Sequence, residues 1–233
     1  MTSAETNQPA ILLVHGAWHG AWCWEKLAPE LTALGWRVAT VDLPSASADP
    51  ENAAGMYDDA RVVHERLAGI DGPVTVLAHS YGGLPATEAA AGAANVSRLL
   101  YLSAFQLDEG DSLAGQSGGQ LPSGGTGTLP ANEDPVNYFY ADVAPEDAER
   151  AAARLVRQTV KSFSEPLTVA TWKAVPSSYI LCEQDQALPL AFQEAMAVRS
   201  ERSYRLPTSH SPFLSAPARL ARLITADAGL QQS

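Results

Sequence analysis

One segment restricts the possible folds more than any other: Pro73-Val-Thr-Val-Leu-Ala-His79-Ser80-Tyr81-Gly82-Gly83. Its apolar first half, rich in valine and leucine, reads as a strand buried on both faces. The run stops at a His-Ser-Tyr-Gly-Gly turn, and residues 84–93 then carry helical spacing. A strand that turns this tightly into a helix crowds its own backbone. Small residues are therefore needed two before and two after the serine, and Ala78 and Gly82 stand there. At such a turn the serine is expected in a strained backbone conformation, with its hydroxyl raised above the sheet edge. The free N–H groups and positive end of the following helix point at it. Ser80 is thus the candidate nucleophile.

The rest of the chain supplies the sheet that such a turn requires. Residues 10–14, 36–41, 73–78, 98–103, 178–182 and 203–206 read as strands. Residues 22–34, 56–68, 84–93, 190–198 and 217–226 read as helices. This alternation predicts an α/β fold, a mostly parallel sheet of about six strands with helices on both faces. It breaks down between residues 106 and 175. There, residues 110–130 are rich in Gly, Ser and Pro and read as a flexible loop. Residues 146–161, after Pro145, are rich in Ala, Glu and Arg and read as a helix. The expected organisation is a core, 1–105 and 176–233, interrupted by a small helical cap (lid) insertion, 106–175, with a flexible Gly-rich loop at 110–130.

Charge and cysteine content remove several function classes. With 26 acidic and 15 basic residues the formal charge is −11, a surface that repels phosphate backbones and anionic lipid, so neither nucleic acid nor a membrane is an expected partner. Residues 1–10 lack a basic n-region and an apolar run of signal length, and the 10–14 run is too short to span a bilayer; the expected location is cytoplasmic. The two cysteines, Cys23 and Cys182, are expected as separate buried thiols. His15 and His19 sit four apart, a metal-ligand spacing, but they span a glycine loop with no glutamate between them. No metal is expected, and His15 reads as a hydrogen-bonded scaffold residue.

A serine hydroxyl needs a base to take its proton and an acid to orient that base. His210 is the only histidine after Ser80; His64, on a predicted helix, reads as solvent-facing. For the acid, Asp185, Glu183 and Asp108 are the candidates.

Four segments together resemble the α/β-hydrolase superfamily. They are the serine turn, with Ala78 where the family's first glycine stands; the repeated His-Gly-Ala-Trp from His15 onward; Cys182-Glu-Gln-Asp-Gln-Ala-Leu-Pro189; and Leu206-Pro-Thr-Ser-His-Ser-Pro-Phe213. The second and third look like the branch containing plant methylesterases and hydroxynitrile lyases with their bacterial esterase relatives. The resemblance implies a Ser-Asp-His order along the chain, which favours Asp185 as the acid. It also implies an oxyanion hole made by the backbone N–H groups of Ala17 and Tyr81, with Gly16 leaving room for substrate. Trp18 and Trp172 are further candidates for substrate binding, with the cluster Tyr138-Phe139-Tyr140. For Trp172, packing of the cap onto the core is an equal reading.

The expected activity is hydrolysis of small to medium carboxylic esters, without cofactor or metal, by a monomer or homodimer. Two alternatives stay open: lyase-type or other cofactor-free carbonyl chemistry on the same residues, and a low-turnover ligand sensor. The related lyases carry a threonine in place of Gly16 and a lysine in place of Ser211, which weighs against the first.

Overall fold

The computed structural model describes residues 8–119, 121–122 and 124–229. Most of the N-terminal segment on which the location reading rests, and two positions of the Gly-rich loop, lie outside the described residues. Nine strands and ten α-helices are formed by the described residues. The strands are β1 (Ala10–Val14), β2 (Arg37–Val41), β3 (Ala46–Ser47), β4 (Val74–His79), β5 (Val96–Leu102), β6 (Thr128–Leu129), β7 (Arg157–Thr159), β8 (Ser177–Cys182) and β9 (Arg202–Leu206). The helices are α1 (Leu27–Ala33), α2 (Met56–Ala68), α3 (Gly83–Ala90), α4 (Leu113–Gln116), α5 (Pro135–Phe139), α6 (Pro145–Ala152), α7 (Val160–Ser164), α8 (Leu190–Ala197), α9 (Pro212–Ser215) and α10 (Pro217–Asp227).

Six strands form one wholly parallel sheet in the order β2-β1-β4-β5-β8-β9. The chain winds outward in one direction from β1 to β2 and in the other from β4 to β9. The order therefore reverses between β1 and β4, and open α/β sheets bind ligands beyond the carboxyl ends of strands at such a point. Alternation along β1 sends Leu12 and Val14 to a core shared with α2 and α3, and Ile11 and Leu13 to one shared with α1 and α10. Both faces are thus covered, which is why these strands read as continuous apolar runs.

All six expected core strands are present, with shifted ends. The helix expected at 22–34 is divided into a 3-10 turn, Ala21–Glu25, and α1. Pro29 is the reason: its ring excludes a continuous helix through the preceding turn.

The segment between β5 and β8 departs further from expectation. The helix expected over 146–161 ends at Ala152, and residues 157–159 form β7, the middle strand of a small antiparallel sheet ordered β3-β7-β6. Residues 157–159 pair antiparallel with Ala46–Ser47 on one side and Thr128–Leu129 on the other, and these distant partners outweigh the helical composition before them. The 110–130 segment, expected to be a loop, contains α4 and β6, and Leu113 and Ala114 are buried. Its glycines at 110, 118, 119, 124, 125 and 127 all have positive φ, so its glycine content serves turns between short ordered pieces. Among the described residues no helix is long and apolar enough to cross a membrane.

Candidate active site

The carboxyl ends of β1, β4, β5, β8 and β9 bring the candidate residues to one edge of the sheet. Ser80 follows β4 directly and has φ 52°. Gly82, two residues on, passes so close to β1 that a Cβ there would lie 2.4 Å from the carbonyl oxygen of His15. The tight turn inferred from sequence is thus present, with its strain. Among the described residues only Trp18 (φ 63°) and Ser103 (φ 40°) join Ser80 as non-glycine residues with positive φ. All three follow neighbouring strands, β1, β4 and β5, at the same edge, and backbone strain of this kind concentrates at functional sites.

Asp185, in the loop after β8, accepts a hydrogen bond from Nδ1 of His210 at 2.6 Å. Both are buried. Its Oδ1 takes the N–H groups of Ala187 (2.7 Å) and Leu188 (2.9 Å), and its Oδ2 also takes the Ser103 hydroxyl. Burial alone would raise this carboxyl. The charge of His210 and the hydrogen bonds from His210, Ser103 and Leu188 outweigh it and hold Asp185 below the usual carboxylate range. The other two acids are elsewhere engaged: Glu183 is exposed and paired with Arg205, and Asp108 is paired with Lys173 and Arg199. Among the described residues no hydrogen bond joins Ser80 to His210. His79, next to Ser80 in the chain, joins the two loops: its Nε2–H donates to the carbonyl of His210 at 2.9 Å and its ring centroid lies 4.4 Å from that of His210. Such bonds are often loose before substrate binds.

The loop after β1 is clamped at successive peptides. His15 Nδ1–H donates to Gly16 O at 2.8 Å, while its Nε2 accepts the N–H of Leu43 at 3.0 Å. His15 is thus the scaffold residue expected. His19 Nδ1–H donates to Ala17 O at 2.8 Å, and its Nε2 accepts the hydroxyl of Tyr140 at 2.7 Å. Burial lowers the pKa of His19 to about 3, so it stays neutral in this role. The N–H of Trp18 donates to Gln158 Oε1 at 3.1 Å. Among the described residues nothing accepts the N–H of Ala17. The N–H of Tyr81, in the first turn of the 3-10 helix Ser80–Gly82, has no acceptor within that helix.

Ser80, Ala17, Trp18 and Tyr81 line a cavity of about 580 Å³, with Phe105, Leu113, Leu129, Tyr138, Phe139 and Phe163 among its apolar walls. Residues 106–175 supply much of its lining. Two sequence readings need correction here, those of Trp172 and His64. Trp172 does not line this cavity: its indole N–H donates to Leu107 O at 2.8 Å, and Lys173 and Arg199 lie over its ring, so the packing reading holds. At Gly16 a Cβ would stand 2.9 Å from Ser80 Cβ, so the glycine lets this loop pass close to the serine turn. His64 is half-buried against Ala89 O rather than solvent-facing. Sequence reasoning missed Ser103, His19, His79 and Gln158. The second His-Gly-Ala-Trp was a usable signal for His19, and adjacency to Ser80 was one for His79; Ser103 and Gln158 touch the site only through folding.

The cysteines Cys23 and Cys182 are both free and buried. Among the described residues no cluster of three or more His, Cys, Asp or Glu forms a metal site.

Comparison with known proteins agrees with this fold. Residues 11–223 match the alpha/beta hydrolase family. The chain is 29% identical to alpha/beta hydrolase nvfD of Aspergillus novofumigatus, covering 95% of this chain and 97% of that one. It is 26% identical to methylesterase 1 of Arabidopsis thaliana, over 94% and 95% of the two chains. The crystal structure of a methylesterase from Arabidopsis superposes with a TM-score of 0.79 at 26% identity, over 96% of this chain and 100% of that one. On this match, and on the parallel sheet that carries Ser80, the chain belongs to the alpha/beta hydrolase family.

Proposed function

We propose that this chain, a carboxylic-ester hydrolase, works through an acyl-enzyme formed on Ser80. The observation that carries the reading is the left-handed backbone of Ser80 at the end of a central strand, opening onto the 580 Å³ cavity. Ser80 Oγ attacks the ester carbonyl while His210 Nε2 takes the hydroxyl proton. The N–H groups of Ala17 and Tyr81 hold the resulting oxyanion. Collapse breaks the bond to the alcohol oxygen, and His210 returns the proton to the departing alcohol. A water, deprotonated by His210, then attacks the acyl-enzyme, freeing the acid and restoring Ser80. Asp185 keeps His210 in the tautomer that bears its proton on Nδ1.

The cavity favours an uncharged ester with an apolar acyl part. Glu133, at its rim, is the sole charged side chain among the described lining residues, so nothing there neutralises an anionic substrate. Methyl esters, the class named in the Arabidopsis relatives, fit this description. Gly16 and Ser211 argue against cyanohydrin cleavage. Gly16 offers no side-chain hydroxyl to a cyanohydrin and leaves the oxyanion space open, and Ser211 offers no cation to a leaving cyanide.

The test is a panel of p-nitrophenyl esters of rising chain length beside mandelonitrile, with fluorophosphonate labelling and site mapping. Ester turnover that Ser80→Ala abolishes, with label on Ser80 alone, is expected. Benzaldehyde release without ester turnover, or label on another serine, would overturn the reading.

A further inference from the structure

The two walls of the oxyanion hole meet at one buried carboxylate. Asp59, on α2, is fully buried, and among the described residues no cation pairs with it. Its Oδ1 accepts the N–H of Ser45 at 2.9 Å. Its Oδ2 accepts both the Ser45 hydroxyl and the phenol of Tyr81, the latter at 2.5 Å. Tyr81 is itself buried, and burial with the nearby Asp59 charge holds its phenol well above its ordinary pKa, so it remains a donor.

The second branch runs the other way. Ser45 Oγ accepts from Gln158 Nε2 at 2.6 Å, and the same Nε2 reaches Ser162 Oγ at 2.8 Å. The other end of that amide, Oε1, takes the N–H of Trp18. The direction of this relay is set at its origin. A carboxylate only accepts, so Ser45 spends its one proton on Asp59 and must accept from Gln158. Gln158 then has its Nε2 committed and its oxygen aimed at Trp18. With the Ala17 carbonyl held by His19, both ends of the Ala17–Trp18 peptide are fixed.

We propose that Asp59 is a positioning residue for the oxyanion hole, acting through Tyr81 on one wall and through Ser45, Gln158 and Trp18 on the other. This rests on the assignment of the Ala17 and Tyr81 N–H groups as the oxyanion donors. An amide at position 59 reverses the relay. Its NH₂ donates to Ser45, Ser45 turns its proton toward Gln158, and Gln158 must flip, placing NH₂ against the N–H of Trp18. Two donors then face each other, and the loop loses its clamp. A purely structural Asp59 would hold α2 against the serine turn without regard to the direction of these bonds.

The experiment compares wild type with Asp59→Asn and with Ser45→Ala, which cuts the relay while leaving the carboxylate. kcat and KM are measured for a p-nitrophenyl ester, with Ki for an aryl trifluoromethyl ketone, which forms an oxyanion adduct on the serine. Asp59→Asn is expected to lower kcat by about 10- to 100-fold, less than outright loss of a donor, and to weaken the ketone by a similar factor. KM should stay within about 2-fold, because ground-state binding does not use these donors. Ser45→Ala should move kcat and Ki in the same direction by about 3- to 10-fold. Gln158→Ala added to Asp59→Asn should cost less than it does alone, because Asp59 acts partly through Gln158. Folded variants of both kinds with unchanged kcat and Ki would overturn the proposal while leaving ester hydrolysis intact. So would losses in kcat without loss of ketone affinity. Should Asp59→Asn not fold, Ser45→Ala alone decides. Absence of ester turnover and of Ser80 labelling in the wild type would overturn the hydrolase reading and this one together.

Discussion

Asp185→Asn is the most informative single change, because the surroundings of Asp185 dictate how the amide must sit. Two backbone N–H groups, of Ala187 and Leu188, converge on Oδ1 and cannot turn away. The amide oxygen must therefore take that place, and the NH₂ falls at Oδ2. There it meets the Ser103 hydroxyl, which can rotate to accept, and Nδ1 of His210, which at 2.6 Å cannot remain a donor. The imidazole moves its proton to Nε2, and the nitrogen that should accept the Ser80 proton becomes a donor. Such a tautomer error costs about 10⁴-fold in kcat in a comparable triad, about 5.5 kcal/mol of barrier. Packing hardly changes, so KM should stay within a few-fold. The assay is kcat and KM for a p-nitrophenyl ester, with the rate of fluorophosphonate labelling at Ser80 as an independent measure of nucleophilicity; both rates should fall together. A loss smaller than about 10-fold would refute the tautomer argument, as would a larger loss for Glu183→Gln or Asp108→Asn than for Asp185→Asn.

Burial raises the pKa of Asp59 from 3.8 to about 6, with hydrogen bonds from Ser45 and Tyr81 opposing and the nearby Asp58 charge adding to the rise. A carboxyl raised on folding stabilises the fold below about pH 4 and loses that contribution as pH rises through about 6, so ionised Asp59 costs about 3 kcal/mol at pH 7. The difference in Tm between Asp59→Asn and wild type should therefore shift in favour of the variant from pH 4.5 to 7.5; a pH-independent difference would sink this. Gly16→Thr should abolish ester turnover, because its Cβ would sit 2.9 Å from both Ser80 Cβ and His79 Nδ1, and full activity would refute the crowding. Trp172→Ala should lower stability by about 2 kcal/mol, from a half-buried ring and one hydrogen bond, without altering chain-length preference. A changed preference would place Trp172 at the substrate.

Legibility in the sequence followed interaction range. The core strands were readable because strands covered on both faces need unbroken apolar runs, as in Ala10–Val14 and Val74–His79. The serine turn was readable because it demands small neighbours within two residues, and Asp185 and His210 stood out as candidates because their loops follow predicted strands. What escaped depended on distant partners. Arg157–Thr159 became a strand because Ala46 and Ser47 pair with it, and nothing near Gln158 announces that its amide ends at Trp18, 140 residues away. Ser103 looked like the last residue of a strand; only the approach of β8 places it on Asp185. Asp59 reads as one more acid near a helix start, and its burial is set by the serine turn and the residues after β2.

Gln158 belongs to the segment that roofs the cavity and also to the scaffold of the loop beneath it. On the roles proposed above, substrate preference and catalytic competence are therefore not separable modules in this protein. A graft that replaces the roof wholesale, taken from a relative to import a new preference, would discard the amide that clamps Trp18 and the strand that β3 pairs with. Altered selectivity is better sought by exchanging single wall residues, such as Leu113, Leu129 or Phe163, than by exchanging the segment.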